Sequence, residues 1–388
     1  MTRNTHTALA AAIAACLYLA SSGPAHAGNV CVQDDGTSNV INDTASGTEA
    51  FGCGILNSAT GDFSSAIGYV NTAIGANSSA VGNLNYAEGD GSNAFGDGNN
   101  VFGANGNAFG GDNAIDGDNA TAVGNNNAAA GANSFAAGAN SQAIGNDTVA
   151  IGNGAVAGGD NSFAAGFGAD ASALGAVAVG ADSEASADGA AAFGMGAVAS
   201  GAGALAAGAN SRAANDLASA YGTDALADGV AGTAVGTGSR AQGDNSVALG
   251  ANATARGANS LAIGAGASVS QLDANAVALG AGSMTTRSNE FSIGSAGNER
   301  TLANVAAGTL GTDAVNLDQL NAVAAGASRY FKANGLNDGS DDAAASGTGS
   351  TAAGVGAQAI GTDSTAVGAQ SVALSLIHIS EPTRLRRI

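Results

Sequence analysis

Gly-Asp-Gly-Asn at 96–99 and Gly-Asp-Asn at 111–113 are the stretches of this chain whose residue types come nearest to binding an ion. Carboxylate and carboxamide oxygens in glycine turns are hard ligands of the kind Ca2+ takes. A calcium-binding β-roll, however, repeats such a turn every nine residues with Asp at a fixed place, whereas the acidic positions here wander. The Asp and Asn side chains are therefore expected to cap turn backbone, and neither a metal nor any other cofactor is expected.

Acid–base chemistry is poorer still. A hydrolase or polysaccharide lyase on a repetitive scaffold needs clustered carboxylates beside a base or a metal. His6 and His26 fall in an N-terminal leader and His378 in a tail of foreign composition, so residues 28–373 hold no histidine. Over that span Lys plus Arg falls from 11 to 7 and Asp plus Glu from 31 to 30, a net charge of −23. Such a surface repels phosphate backbones, so no nucleic-acid partner and no enzymatic activity are expected.

Both ends of the chain stand apart from the rest. Arg3, an apolar run over residues 8–20 and Ala25-His26-Ala27 ahead of Gly28 have the layout of a secretory signal peptide, residues 1–27. The run is too short for an ordinary membrane span. A lipoprotein box at Ile13-Ala14-Ala15-Cys16 is the competing reading of the same leader. Cys31 and Cys53 then lie in an oxidising compartment, where a disulfide, within one chain or between chains, is favoured over free thiols. Residues 374–388, "LSLIHISEPTRLRRI", break the composition abruptly and over 374–384 resemble the translated read-through of a sequencing adaptor. That tail is expected to be an artefact, with a helical terminus as the alternative, and the natural protein to continue past residue 373.

The elements that must carry any site follow from glycine. The chain has 62 Gly, 2 Pro, no Trp and 4% aromatic residues, so its stability has to come from many small contacts and regular backbone pairing. Stepping by seven from Gly47 to Gly264 visits 32 positions, of which all but Ala173, Ala187 and Asn215 are glycine. The preceding residue shows a longer period: Val179, Phe193, Ala207, Tyr221, Val235, Leu249 and Ile263 alternate with Ser186, Ser200, Ala214, Asp228, Gln242 and Arg256. The unit is fourteen residues in two unequal halves. A glycine in every heptad would cost a helix roughly 1 kcal/mol each, whereas turns use glycine where φ is positive. Each half thus predicts a strand of about five residues and a tight turn, and each unit one coil of a parallel β-solenoid. Some 15 coils at ~4.8 Å would stack on the order of 75 Å high. The apolar column Val179, Phe193, Tyr221, Val235, Leu249 and Ile263 is expected to be covered by self-association.

Past residue 297 the pattern changes. Thr312 predicts a helix N-cap with Asp313 in the first turn, and Val315, Leu317, Leu320 and Ala324 an apolar stripe that starts a coiled coil. Glycines at 347, 354, 361 and 368 restore the seven-residue frame.

Asn-Ser-Val-Ala-Leu-Gly at 245–250, with Leu302-Ala303-Asn304-Val305-Ala306-Ala307-Gly308, Thr312-Asp313-Ala314-Val315-Asn316 and Gln319-Leu320, resembles the head repeat and neck of the trimeric autotransporter adhesins. The resemblance implies an all-β fold: a left-handed parallel β-roll head of 14-residue coils, trimeric through its inner face, followed by a neck and a short coiled-coil stalk. It implies trimer contacts at Asn304, Val305, Asp313, Val315, Asn316, Gln319 and Leu320, with interchain hydrogen bonds from Asn304, Asp313, Asn316 and Gln319. The expected organisation is a signal peptide (1–27), a cap segment (28–46), a head (47–297), a neck (298–323), a stalk or connector (324–346) and the start of a second head (347–373). The implied function is a bacterial surface adhesin whose homotrimer binds host matrix proteins such as collagen or fibronectin, or host-cell receptors. The alternative is a structural surface or biofilm scaffold for cell-to-cell aggregation. Secretion across the inner membrane to the cell surface is expected. Attachment to the outer membrane would run through a C-terminal anchor missing from this chain.

Overall fold

The computed structural model describes residues 29–31, 43–327, 340 and 342–374. The leader, residues 330–335 of the connector and the tail beyond 374 lie outside the described residues. The chain divides into two compact units, Met1–Arg300 and Thr301–Ile388.

The first unit is the solenoid that the glycine frame predicts. Each coil contributes one longer strand, such as Ser65–Tyr69, and one two-residue strand, such as Thr72–Ala73. Ser65 pairs with Ser79 and Thr72 with Tyr86, both in parallel and fourteen residues on. The expected five-residue strand in each half is thus corrected: the short half bonds over two residues only. The long strands themselves shorten from five residues, as at Phe135–Ala139, to three from Val149–Ile151 onward. Near the end of the stack the spacing widens, with Leu261 paired to Val277.

Alanine fills the interior. The second residue of each long strand (Ala66, Ala80, Ala94) and the second of most short strands (Ala59, Ala73, Ala87) are fully buried. Two walls this close leave room for a methyl group and little more. Where the wall carries Val101 and Ile115, the facing position is Gly106, whose Cβ would stand 2.6 Å from Val101 Cγ1. Volume is conserved across the core, as close packing demands.

The frame glycines serve two different needs. Gly68, the fourth residue of its long strand, has φ +122°, a conformation L side chains rarely adopt. Gly75, after a short strand, has no such φ, but a Cβ there would lie 2.1 Å from the Gly89 carbonyl oxygen of the next coil. Positive φ therefore explains only half of the frame, and contact between coils explains the rest. Left-handed turn backbone falls mainly on Asn, Asp and Gly, for example Asn77 (φ 59°), Asn252 (φ 55°) and Gly91 (φ 69°).

Added contacts mark both ends of the stack. Strand β1, Asn29–Cys31, pairs with the start of the long strand Phe51–Ile55, so that Cys31 stands in register with Cys53. At the other end the Arg300 guanidinium donates to Ser283 Oγ (2.7 Å), to the Ile293 carbonyl (2.5 Å) and to that of Ala281, tying down the last turns.

In the second unit the helix α1 runs Leu317–Ala327. Further along, strands pair at the same spacing, Ala344 with Gln358 and Thr351 with Thr365, around buried Ala357 and Ala359.

Candidate adhesive and assembly surfaces

Alternation along the long strand sends its second residue inward and its first and third residues outward together. All six residues of the predicted column are third residues: Val179, Val235 and Ile263 are half-buried, and Phe193, Tyr221 and Leu249 are exposed. The sequence reading missed that first residues such as Val177, Leu205, Val247 and Leu261 share this face. From Ser65 to Leu279 the first and third positions include no charged residue. Phe95 and Phe109 stack along it with centroids 5.5 Å apart and planes within 3°. The opposite face, on the short strands, mixes Asp170, Glu184, Arg212 and Arg240 with Val156 and Leu226. Tyr86 and Phe102 pack there at 5.7 Å, and the Tyr86 hydroxyl donates to Glu88 (2.9 Å), a bond that pushes the phenol pKa up.

The glycine–acid stretches that suggested an ion have another use. Asp97 Oδ1 accepts from Asn83 Nδ2 one coil away (2.7 Å). Asn99 and Asn113 are fully buried members of a ladder through Asn57, Asn71, Asn85, Asn99, Asn113 and Asn127. Each amide donates backward, as Asn99 Nδ2 does to Asn85 Oδ1 (2.8 Å), and also holds a glycine carbonyl of the following coil, Gly110 O at 2.8 Å. Each Oδ1 also accepts the next rung's backbone N–H, Asn113 N at 3.1 Å. The first member needs only to accept and is Asp43, and the last needs only to donate and is Ser141. The ladder spans the coils with five-residue strands, because a held glycine carbonyl keeps the backbone extended past the third residue.

Cys53 is buried and its thiol is free; burial, then the Asp43 carboxylate, pushes its pKa up. A disulfide with its register neighbour Cys31 remains a proposal. If the protein forms it in an oxidising compartment, intact mass should show the loss of two hydrogens per chain, restored by reductant. Two free thiols per chain would refute it.

In the second unit the expected N-cap is corrected from Thr312 to Asn316. Asn316 Oδ1 accepts the Gln319 backbone N–H (3.1 Å) and Gln319 Oε1 accepts that of Asn316 (3.3 Å), a reciprocal capping box. Asp313 instead closes the preceding turn, accepting from Thr309 N (2.8 Å) and Leu310 N (2.9 Å). Asn316 Nδ2 also reaches the Val305 carbonyl (3.1 Å), Gln319 Nε2 that of Gly308 (2.9 Å), and Asn304 takes a left-handed φ of 62°. Of the side chains expected to bond between chains, Asp313, Asn316 and Gln319 thus have partners within one. Val315, Leu317, Leu320 and Val323 are left exposed.

The Leu310 and Thr309 amides hold the Asp313 carboxyl below the usual carboxylate range. A depressed pKa contributes stability above the unfolded value of about 3.9, lost as pH falls through the folded one. Neck helicity should therefore fall on acidification below about pH 4, and Asp313→Asn should flatten that profile in circular dichroism. An unchanged profile would remove Asp313 from the turn's stability.

Residues 45–71, 59–85, 73–99, 116–141, 143–169, 171–197, 227–253 and 255–283 match the family profile of the YadA head domain repeat. Residues 301–359 match that of the coiled stalk of trimeric autotransporter adhesin. Among solved structures, the collagen-binding domain of the Yersinia adhesin YadA is 32% identical, covering 46% of this chain and 83% of that one, with a TM-score of 0.34. No curated protein sequence matches.

Proposed function

Because the chain belongs to the trimeric autotransporter adhesins, with the YadA-type head repeat and the stalk of that family, we propose that its head attaches a bacterial surface to host extracellular matrix or host cells. The family is one of cell-surface adhesins, not of enzymes. In this reading three copies turn their long-strand faces to a common axis, covering Val179, Phe193, Tyr221, Val235, Leu249 and Ile263, and turn their short-strand faces outward. The exposed stripe from Val315 through Leu317 and Leu320 does the same for the neck.

One observation carries the reading: an uncharged, apolar long-strand face backs onto a short-strand face that holds charges and hydroxyls. Bare apolar surface of that length belongs against another copy. The outer face then offers a weak contact per coil, repeated along the rod and over three chains, so that binding is by avidity.

Immobilised collagen is the first probe, followed by fibronectin and host cells. The purified chain should bind saturably as a trimer. Val235→Asp with Leu249→Asp, which charges the covered face, should lower apparent affinity by roughly 100-fold or more as avidity is lost. Particles coated with the chain that clump together yet bind neither matrix nor cells would replace this reading with the aggregation scaffold.

A further inference from the structure

Each long strand lies between two left-handed turn residues, one just before it and one just after, and in most coils both are Asn, Asp or Gly. The first coils depart from this, as Leu217 (φ 58°) and Ala231 (φ 52°) do further along the stack. Leu56 (φ 58°), Phe63 (φ 59°), Val70 (φ 55°) and Leu84 (φ 54°) hold the same conformation with apolar side chains. Leu56 is 47%, Phe63 53% and Leu84 53% exposed, and Tyr69 beside Val70 is 49% exposed. Backbone strain and uncovered apolar surface thus coincide, and for a β-branched Val the conformation is an outlier.

Their placement says what covers them. Phe63 lies at the starting edge of the sheet, before Ser65–Tyr69, whereas Leu56, Val70 and Leu84 lie at its finishing edge. Three identical parallel sheets facing one axis form a triangular prism. Its rotational symmetry brings the finishing edge of each copy against the starting edge of the next, at the same height. Apolar residues on both edges of the same coils fit that geometry. They recur at Phe167 (61% exposed) after Phe163–Ala165 and Leu174 (53%) before Val177–Val179.

We propose that these edges are intersubunit seams, in which Phe63 of one chain packs on the Leu56, Val70 and Leu84 ledge of a second copy and clamps the outer end of the trimer. The proposal rests on the assembly through the long-strand face and is continuous with that face through Tyr69.

The test exploits a difference in sign. On a free surface, Phe63→Asn or Val70→Asn relieves strain and removes exposed apolar area, so melting temperature rises. At a seam each variant lowers the full chain's melting temperature, and the double variant falls by less than the sum. In a Cys31→Ser, Cys53→Ser background, oxidised Phe63→Cys with Val70→Cys should give covalent dimers and trimers on denaturing gels, and neither single variant should. Raised melting temperatures without cross-links, in a protein still trimeric by light scattering, would overturn the seam and leave the assembly standing. A monomeric parent chain would overturn both.

Discussion

Gly75→Ala should collapse the stack around it, while Gly154→Asn should leave the melting temperature unchanged or slightly higher. Standard reasoning about glycine points the other way, since Gly75 has no positive φ and Gly154 has φ +67°. Space decides. A Cβ on Gly75 would sit 2.1 Å from Gly89 O and 2.7 Å from Glu88 O, both backbone atoms of the next coil, which cannot move without breaking the ladder. At Gly154 nothing lies within 4 Å, and the turn conformation is one that Asn takes routinely in this chain, as at Asn140 (φ 56°). Adding a Cβ there also restricts the unfolded chain, a gain of about 0.4–1 kcal/mol at most. The Gly75 change belongs with the exceptional losses above about 4 kcal/mol, because two neighbouring coils must part to admit a methyl group. Thermal melts by circular dichroism on the full chain would decide it. Equal melting temperatures for the two variants would mean that the coils are not in such close contact.

The sequence showed the coil but not its contents, and the reason lies in which residue types have one use. A glycine every seven residues has a single reading in a strand-and-turn protein, so the fourteen-residue coil and its parallel pairing were legible. Alanine has many uses, and nothing in the letters separates Ala66 in the core from Ala76 in an outer turn. Asparagine is more ambiguous still. In the run Asn125-Asn126-Asn127 the first ends a strand, the second makes the left-handed turn at φ 57°, and the third is buried in the ladder. Only the interval of fourteen from Asn57 could have revealed that ladder. The six residues of the expected column do share one face of the coil, yet they are only its third residues. A strand residue two places away shares its face, so the alternation rule applied once more would have added Val177, Leu205 and Val247. In the neck, Thr312 with Asp313 and Asn316 with Gln319 both look like a helix start. The second pair has the reciprocal spacing of a capping box, which is the stronger signal.

Asn99→Leu should be among the most damaging exchanges of one buried side chain for another of similar size. The amide of Asn99 donates to Asn85 Oδ1 (2.8 Å), Phe95 O (3.2 Å) and Gly110 O (2.8 Å), and its oxygen accepts from both the backbone and the side chain of Asn113 (3.1 and 2.8 Å). Leucine would leave the Asn113 backbone N–H and the Gly110 carbonyl without this partner in the buried interior, at about 1–3 kcal/mol for each unsatisfied group. Ser141→Ala, at the end of the ladder, loses a single donation to Asn127 Oδ1 (2.5 Å) and should cost only about 1 kcal/mol. Asn99→Asp separates hydrogen bonding from shape. An ionised carboxylate can only accept, yet three acceptor oxygens converge on that position, so at neutral pH this variant should melt below Asn99→Leu. Below about pH 5 the carboxyl would bind a proton and donate once, so its melting temperature relative to the parent should rise on acidification. A relative melting temperature for Asn99→Asp that stays flat or falls between pH 7 and 4 would mean that the ladder's direction, from Ser141 back to Asp43, does not set the energetics of these coils.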